Sequence, residues 1–311
     1  MGGYRRFFSR NPPRDDWYTT QPKGQTRGPD MRIHPLSVII TIMILQSSTA
    51  GCLSAPPEKS PGQALPAPEY PVLSIRETPV QYADVNGVRL AYREFGSGEP
   101  LLVIVGFGAT MEQASDTAIS VLASDYHVYL YDHRGMGHSG TGNITPTIPL
   151  YADDAASLVS ALGHESMHVY GTSMGSFIAQ ELALNHPGRV RKVILDSSSY
   201  SIRVPETRYL KDYLEVIAAD PASPPGLRDE ARAMLAWNGT KDRLPGLHKD
   251  VLLVVGTGDT ITPASLSYQM AGQINGSWLV RFDGLPHAGG DVAPVAYGRT
   301  AVNFLRMDTS R

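Results

Sequence analysis

The tightest constraint on what this chain can fold into is a serine set between glycines where strand patterning gives way to helix patterning. Gly171-Thr172-Ser173-Met174-Gly175 reads G-x-S-x-G. Before it, Met167-His168-Val169-Tyr170 has β-branched and aromatic character. After it, the residues from Ser176 to His186 follow a helical apolar period that Pro187-Gly188 ends. A strand that turns into a helix this abruptly forces its central residue into a strained backbone, and small neighbours are needed to avoid a clash. The strain lifts the Ser173 hydroxyl above a sheet, where a substrate carbonyl can meet it.

A serine hydroxyl is a weak nucleophile until a base takes its proton and a third group orients that base. On a strand–turn–helix architecture the partners follow in the order serine, acid, histidine. The buried-strand run Val251-Leu252-Leu253-Val254-Val255 leads into Gly256-Thr257-Gly258-Asp259, which places Asp259 at a strand's carboxyl end, with Pro263 suited to the next helix start. Trp278-Leu279-Val280-Arg281-Phe282 reads as the last strand. His287 lies in the loop after it, Gly284-Leu285-Pro286-His287-Ala288, where the base is expected to hang over the serine. Asp196, at the end of the strand over 190–195, is the alternative acid one strand earlier. The other histidines weighed (His127, His164, His168, His186 and His248) have no such loop around them and read as surface or core residues.

Together these motifs resemble the α/β-hydrolase fold family from about Val80 to the end of the chain. Tyr131-Asp132-His133-Arg134-Gly135-Met136-Gly137-His138-Ser139 matches the family's D-x-R-G-x-G-x-S stretch after the fourth strand. The resemblance gives that stretch a structural role: Asp132 and Arg134 tie down the turn and Ser139 caps. It implies an oxyanion hole of two backbone N–H groups, one from Met174 after the nucleophile and one from the loop Gly106-Phe107-Gly108. Phe107 is the match for the second donor. The histidine that braces this loop in the family's H-G-x-G pattern is Val105 here. The expected fold is α/β, a mostly parallel central sheet flanked by helices with right-handed crossovers, and the site lies at the strands' carboxyl ends.

Composition removes other classes. The chain is 42% hydrophobic and 18% charged with net charge −3, so it has material for a core and no basic stripe for nucleic acid. It has no C-x-x-C, Cys/His cluster or H-E-x-x-H, and its short glycine loops lack dinucleotide register, so no metal or cofactor is expected.

The first 75 residues are a different kind of sequence. Residues 1–30 are polar, without apolar period, and read as disordered or as a mis-assigned extension upstream of Met31. Residues 31–51 have the layout of a secretory signal peptide: a basic start, an apolar run over 36–45, then small residues. Thr49-Ala50-Gly51-Cys52 resembles a prokaryotic lipobox with threonine in the usual leucine position, which implies a lipid on Cys52, the single cysteine of the chain. A free cysteine behind an ordinary signal or an uncleaved anchor is the other reading. The expected location is exported: cell-envelope, or membrane-anchored on the extracytoplasmic side. Residues 52–75 hold six prolines between 53 and 71 and read as an extended linker.

The hydrolase domain is expected over 76–311, opening with a hairpin at Asn86-Gly87. An insertion at about 197–249, with helices near 205–219 and 227–237, is expected to form a small cap. Tyr200, Tyr209, Leu210, Tyr213, Leu214, Met234, Leu235 and Trp237 either line a pocket or pack the cap down, and for each of them packing is the preferred reading. The implied function is a serine hydrolase of carboxylesterase type acting on a small acyl substrate. The same residues also suit a cofactor-free haloperoxidase or perhydrolase, a carbon–carbon bond hydrolase, or a ligand-binding protein on this scaffold. Haloalkane dehalogenases and most epoxide hydrolases need a carboxylate where Ser173 stands. Substrate and oligomeric state are not fixed by the sequence.

Overall fold

The computed structural model describes residues 72–308; the expectations for residues 1–30, the signal peptide, Cys52 and all but the last residues of the linker lie outside the described residues. The sheet has eight strands: β1 Gln81–Val85, β2 Val88–Phe95, β3 Glu99–Ile104, β4 Tyr126–Tyr131, β5 Met167–Thr172, β6 Val190–Asp196, β7 Asp250–Gly256 and β8 Trp278–Phe282. Their spatial order is β1-β2-β4-β3-β5-β6-β7-β8. The first two pairings are antiparallel and the other five parallel. The helices are α1 Asp116–Ala123, α2 Ile148–Ala161, α3 Met174–Asn185, α4 Arg208–Ala219, α5 Pro225–Ala236, α6 Ala264–Ala271 and α7 Pro294–Arg306. This is the mostly parallel, helix-flanked α/β architecture the strand–helix alternation predicts. Among the described residues no helix is long and apolar enough to cross a membrane.

Alternation along β3 explains the two-sided core. Leu102 and Ile104 face a cluster built with α2, α3, α6 and the α4–α5 region, while Leu101 and Val105 face a second cluster with α1 and α7. A strand covered on both faces reads as a continuous apolar run. Each fully buried aliphatic side chain there contributes about 1.5–3 kcal/mol relative to exposure. At the edge, Val85 pairs with Val88 across Asn86 (φ 42°) and Gly87 (φ 71°), the left-handed pair that a two-residue hairpin turn demands.

Helix starts follow local chemistry. Thr147 Oγ1 accepts from the Leu150 N–H (3.1 Å) to cap α2, and Ser115 Oγ caps α1. The insertion after β6 differs slightly from the sequence expectation. Pro205–Thr207 is a 3₁₀ turn before α4, and α5 begins at Pro225, two residues early, because a proline is accommodated in the first helical turn. Leu214, Met234 and Trp237 are buried in the larger core cluster, as are Tyr200 and Leu210. Trp237 stacks on Phe177 of α3 (4.8 Å, 16°) and donates to Glu181 Oε1 (2.8 Å). Those five side chains pack into the core, whereas Tyr209 is exposed.

Candidate active site

Ser173 stands between β5 and α3 at φ 54°, ψ −120°, left-handed backbone in a residue with a Cβ. A Cβ on Gly171 would strike the Gly175 carbonyl, and one on Gly175 would strike the carbonyls of Ile104 and Val105, so both flanking positions have to be bare. A serine in the N-cap position ordinarily accepts from the helix's own N–H groups. Ser173 makes no such bond. Its backbone N–H donates to the Asp196 carbonyl (2.9 Å), and its Oγ lies 2.9 Å from His287 Nε2.

His287 Nδ1 is 2.8 Å from Asp259 Oδ2. A carboxylate accepts, so Nδ1 holds the proton and Nε2 presents its lone pair to the serine hydroxyl. Asp259 is buried, and its Oδ1 accepts from the N–H groups of Ile261 and Thr262, both at 2.8 Å. Burial pushes the His287 imidazole down, but the charge and hydrogen bond of Asp259, aided by Asp196, outweigh it and leave the pKa above the ordinary value. The two loops are laced by backbone bonds: Gly258 N–H to Leu285 O and Thr257 N–H to Phe282 O, both 2.9 Å. Of the two candidate acids, the structure brings Asp259 to His287. Asp196 instead accepts from Tyr170 Oη (3.1 Å) and Ser197 Oγ (3.0 Å), and burial pushes it up to about 7.

Two residues that sequence reasoning passed over complete this side. The Thr262 hydroxyl donates to the Ser197 carbonyl (2.8 Å) and stands 2.9 Å from Asp259 Oδ2. Ser197, itself at φ 50°, accepts on Oγ from the N–H of Ala288, next to His287 (3.0 Å). The Asp-x-x-Thr spacing hints at a side chain closing its own turn; the run Ser197-Ser198-Ser199 has no comparable signal.

The loop after β3 lies against the serine. A Cβ on Gly106 would come within 3.2 Å of Ser173 Cβ. Four of the loop's N–H groups are engaged: Gly108 with Glu230 Oε2 (2.7 Å), Ala109 with Gly106 O (3.2 Å), Thr110 with Gln113 Oε1 (2.9 Å) and Met111 with Asp132 Oδ1 (2.7 Å). Phe107 N–H has no acceptor among the described residues. Met174, the first residue of α3, has no carbonyl a turn earlier to donate to. The N–H groups of Met174 and Phe107, the pair expected from the sequence, are thus among the uncommitted ones in this region.

The D-x-R-G-x-G-x-S stretch holds structure together, in a more divided way than expected. Asp132 accepts from Met111 and from His138 N–H (2.8 Å). Arg134 reaches away from the turn to a buried bidentate pair with Asp154 of α2, both bonds 2.6 Å. Ser139 caps no helix; its Oγ donates to Asp132 O (2.7 Å) and accepts from Ala91 N–H on β2 (2.8 Å). Among the described residues no group of three or more His, Cys, Asp or Glu side chains could hold a metal.

Such a site can move a proton from a hydroxyl to an imidazole while two N–H groups receive developing negative charge. Comparison with known proteins agrees with the fold. The alpha/beta hydrolase fold family matches residues 99–216. A provisionally assigned carbamate hydrolase of Azorhizobium caulinodans is 27% identical, over 72% of this chain and 97% of its own. A provisionally assigned non-haem bromoperoxidase of Mycobacterium tuberculosis is 30% identical over 50% of this chain and 59% of its own. The solved structure of a thermophilic esterase from Thermogutta terrifontis superposes with a TM-score of 0.65 at 22% identity, covering 73% of this chain and 98% of the esterase. At that identity the likeness is one of fold.

Proposed function

From a chain with the α/β-hydrolase fold and hydrolases among its relatives, we propose a serine hydrolase that cleaves a small ester or related acyl substrate. The observation that carries the reading is the continuous chain Ser173 Oγ, His287 Nε2, His287 Nδ1, Asp259 Oδ2, with steps of 2.9 and 2.8 Å. Ser173 attacks the carbonyl carbon while His287 takes its proton, and Asp259 steadies the imidazolium. The N–H groups of Met174 and Phe107 receive the oxyanion. His287 returns the proton to the leaving group, and the acyl-enzyme forms. Water, deprotonated by His287, then attacks the acyl carbon, and Ser173 leaves with the proton restored.

Ser173→Ala should lose nearly all p-nitrophenyl ester turnover while unfolding at an unchanged temperature. Full turnover in that variant would overturn the assignment.

The bromoperoxidase relative motivates a second reading on the same side chains, peracid formation from a carboxylate and hydrogen peroxide. It predicts peracid accumulation from acetate and peroxide at rates rivalling ester hydrolysis. We further propose export with a lipid on Cys52, supported by the signal-like run before it. Cys52→Ser should then release the protein from the membrane fraction; retention there would contradict the anchor.

A further inference from the structure

The oxyanion loop is braced from a distant part of the chain. Glu230, on α5 of the insertion, is fully buried and divides its carboxylate between two partners. Oε2 accepts the Gly108 N–H at 2.7 Å, and Oε1 lies 2.9 Å from Nδ1 of His133, also fully buried. Of the loop's other bonds, Ala109 N–H to Gly106 O closes the turn over Phe107 and Gly108, and Gln113 Oε1 holds Thr110 N–H. Val105 stands where related loops carry a bracing histidine, and Gly106 and Gly108 offer no side chains. Its far end is held by Asp132, through Met111 N–H. Packing from the same insertion presses on the loop: a Cβ at Gly108 would meet Leu227 Cδ1 of α5 at 2.9 Å, and the Tyr213 ring of α4 meets Phe107 edge-on at 6.3 Å.

We infer that Glu230 is a positioning residue for the oxyanion hole, setting the Phe107 N–H through its bond to Gly108, so that the insertion takes part in catalysis. The inference rests on the serine-hydrolase reading above. Engaging Gly108 has two consequences. It removes the neighbouring N–H from competition for the oxyanion, and it fixes the peptide plane one residue beyond the proposed donor. An oxyanion donor acts only if it stands where charge develops, and a misplacement near 1 Å can cost on the order of 10²-fold in rate. His133 in turn prevents the carboxylate from swinging away from the loop.

Glu230→Asp and Glu230→Gln separate positioning from packing. Aspartate is one methylene short and cannot hold both Gly108 and His133; glutamine keeps an acceptor at the same reach. In the full chain, Glu230→Asp should lower kcat for a p-nitrophenyl ester by about 10- to 100-fold with KM within about threefold. Labelling by a fluorophosphonate should slow in parallel, and Glu230→Gln should restore both. A residue that merely packs the insertion would lower the unfolding temperature or raise KM and spare kcat. Unchanged kcat in Glu230→Asp, or an equal loss of kcat in Glu230→Gln, overturns the inference. If Glu230→Asp does not fold, His133→Ala in the folded chain decides: releasing the carboxylate from His133 should lower kcat with KM held, and unchanged kcat overturns the inference. A wild-type protein that neither turns over ester nor labels would overturn the hydrolase reading, and this inference with it.

Discussion

The two sides of Ser173 are built by different means. On one side stand Asp259 and His287, each on the loop that follows its own strand, β7 and β8, which are neighbours in the sheet. Their mutual distance is set by parallel register and by backbone bonds between the loops. On the other side the loop of Phe107 draws its support from Asp132 and from Glu230, the latter 122 residues away in sequence. The first side is a consequence of sheet topology. The second depends on an insertion docking correctly. A site of this kind can keep an intact proton-transfer chain while losing the charge stabilisation that makes it fast.

The largest effect on the topological side should come from Asp259→Asn. It leaves the serine and imidazole in place but favours the wrong tautomer, and a loss of about 10⁴ in kcat is expected. A loss under tenfold would show that Asp259 does not set the imidazole.

A second prediction concerns pH. His287 must be neutral to accept the serine proton, so kcat/KM should fall as pH drops through its pKa. That pKa is raised, so the midpoint should lie above the ordinary histidine value of about 6.5. A midpoint below 6.5 in the wild-type profile would contradict it. The stability sign is the reverse: the Asp259–His287 attraction contributes fully below the unfolded pKa and is lost as pH rises through the folded one. Asp259→Asn should therefore destabilise more at pH 5 than at pH 9, read from denaturant midpoints.

The smallest expected effect is on stability at the shared turn. Gly175→Ala puts a methyl against two backbone carbonyls that cannot rotate away, for a cost of about 1–3 kcal/mol. It should lower the denaturant midpoint at unchanged slope. No shift would mean the crowding at the turn is relieved elsewhere.

The same contrast explains what the sequence made legible. Ser173 sits in a local motif whose strand, turn and helix are adjacent in the chain, and β7 and β8 announce themselves as apolar runs with short loops. Their order and spacing carry the sheet and the three side chains. The hairpin was legible because Asn86-Gly87 is a local backbone requirement. Glu230 was passed over because its meaning lies in a contact with Gly108 that no local pattern encodes. One trace was available: Leu227, Glu230, Ala231 and Met234 share the i, i+3, i+4, i+7 face of α5, so a carboxylate stands on an otherwise apolar stripe. A buried charge in that position needs a partner, and that demand is the signal. Arg134 taught the converse: its place in a turn motif suggested a partner in the turn, whereas the side chain reaches Asp154 on α2.

Everything proposed for this site turns on Ser173 being an activated nucleophile. The most direct test is fluorophosphonate labelling of the folded chain, followed by mass mapping of the adduct. One adduct per chain is expected, on Ser173, with labelling slowed in Asp259→Asn and absent in Ser173→Ala. Folded protein that takes up no label, or takes it up on another serine, would contradict it.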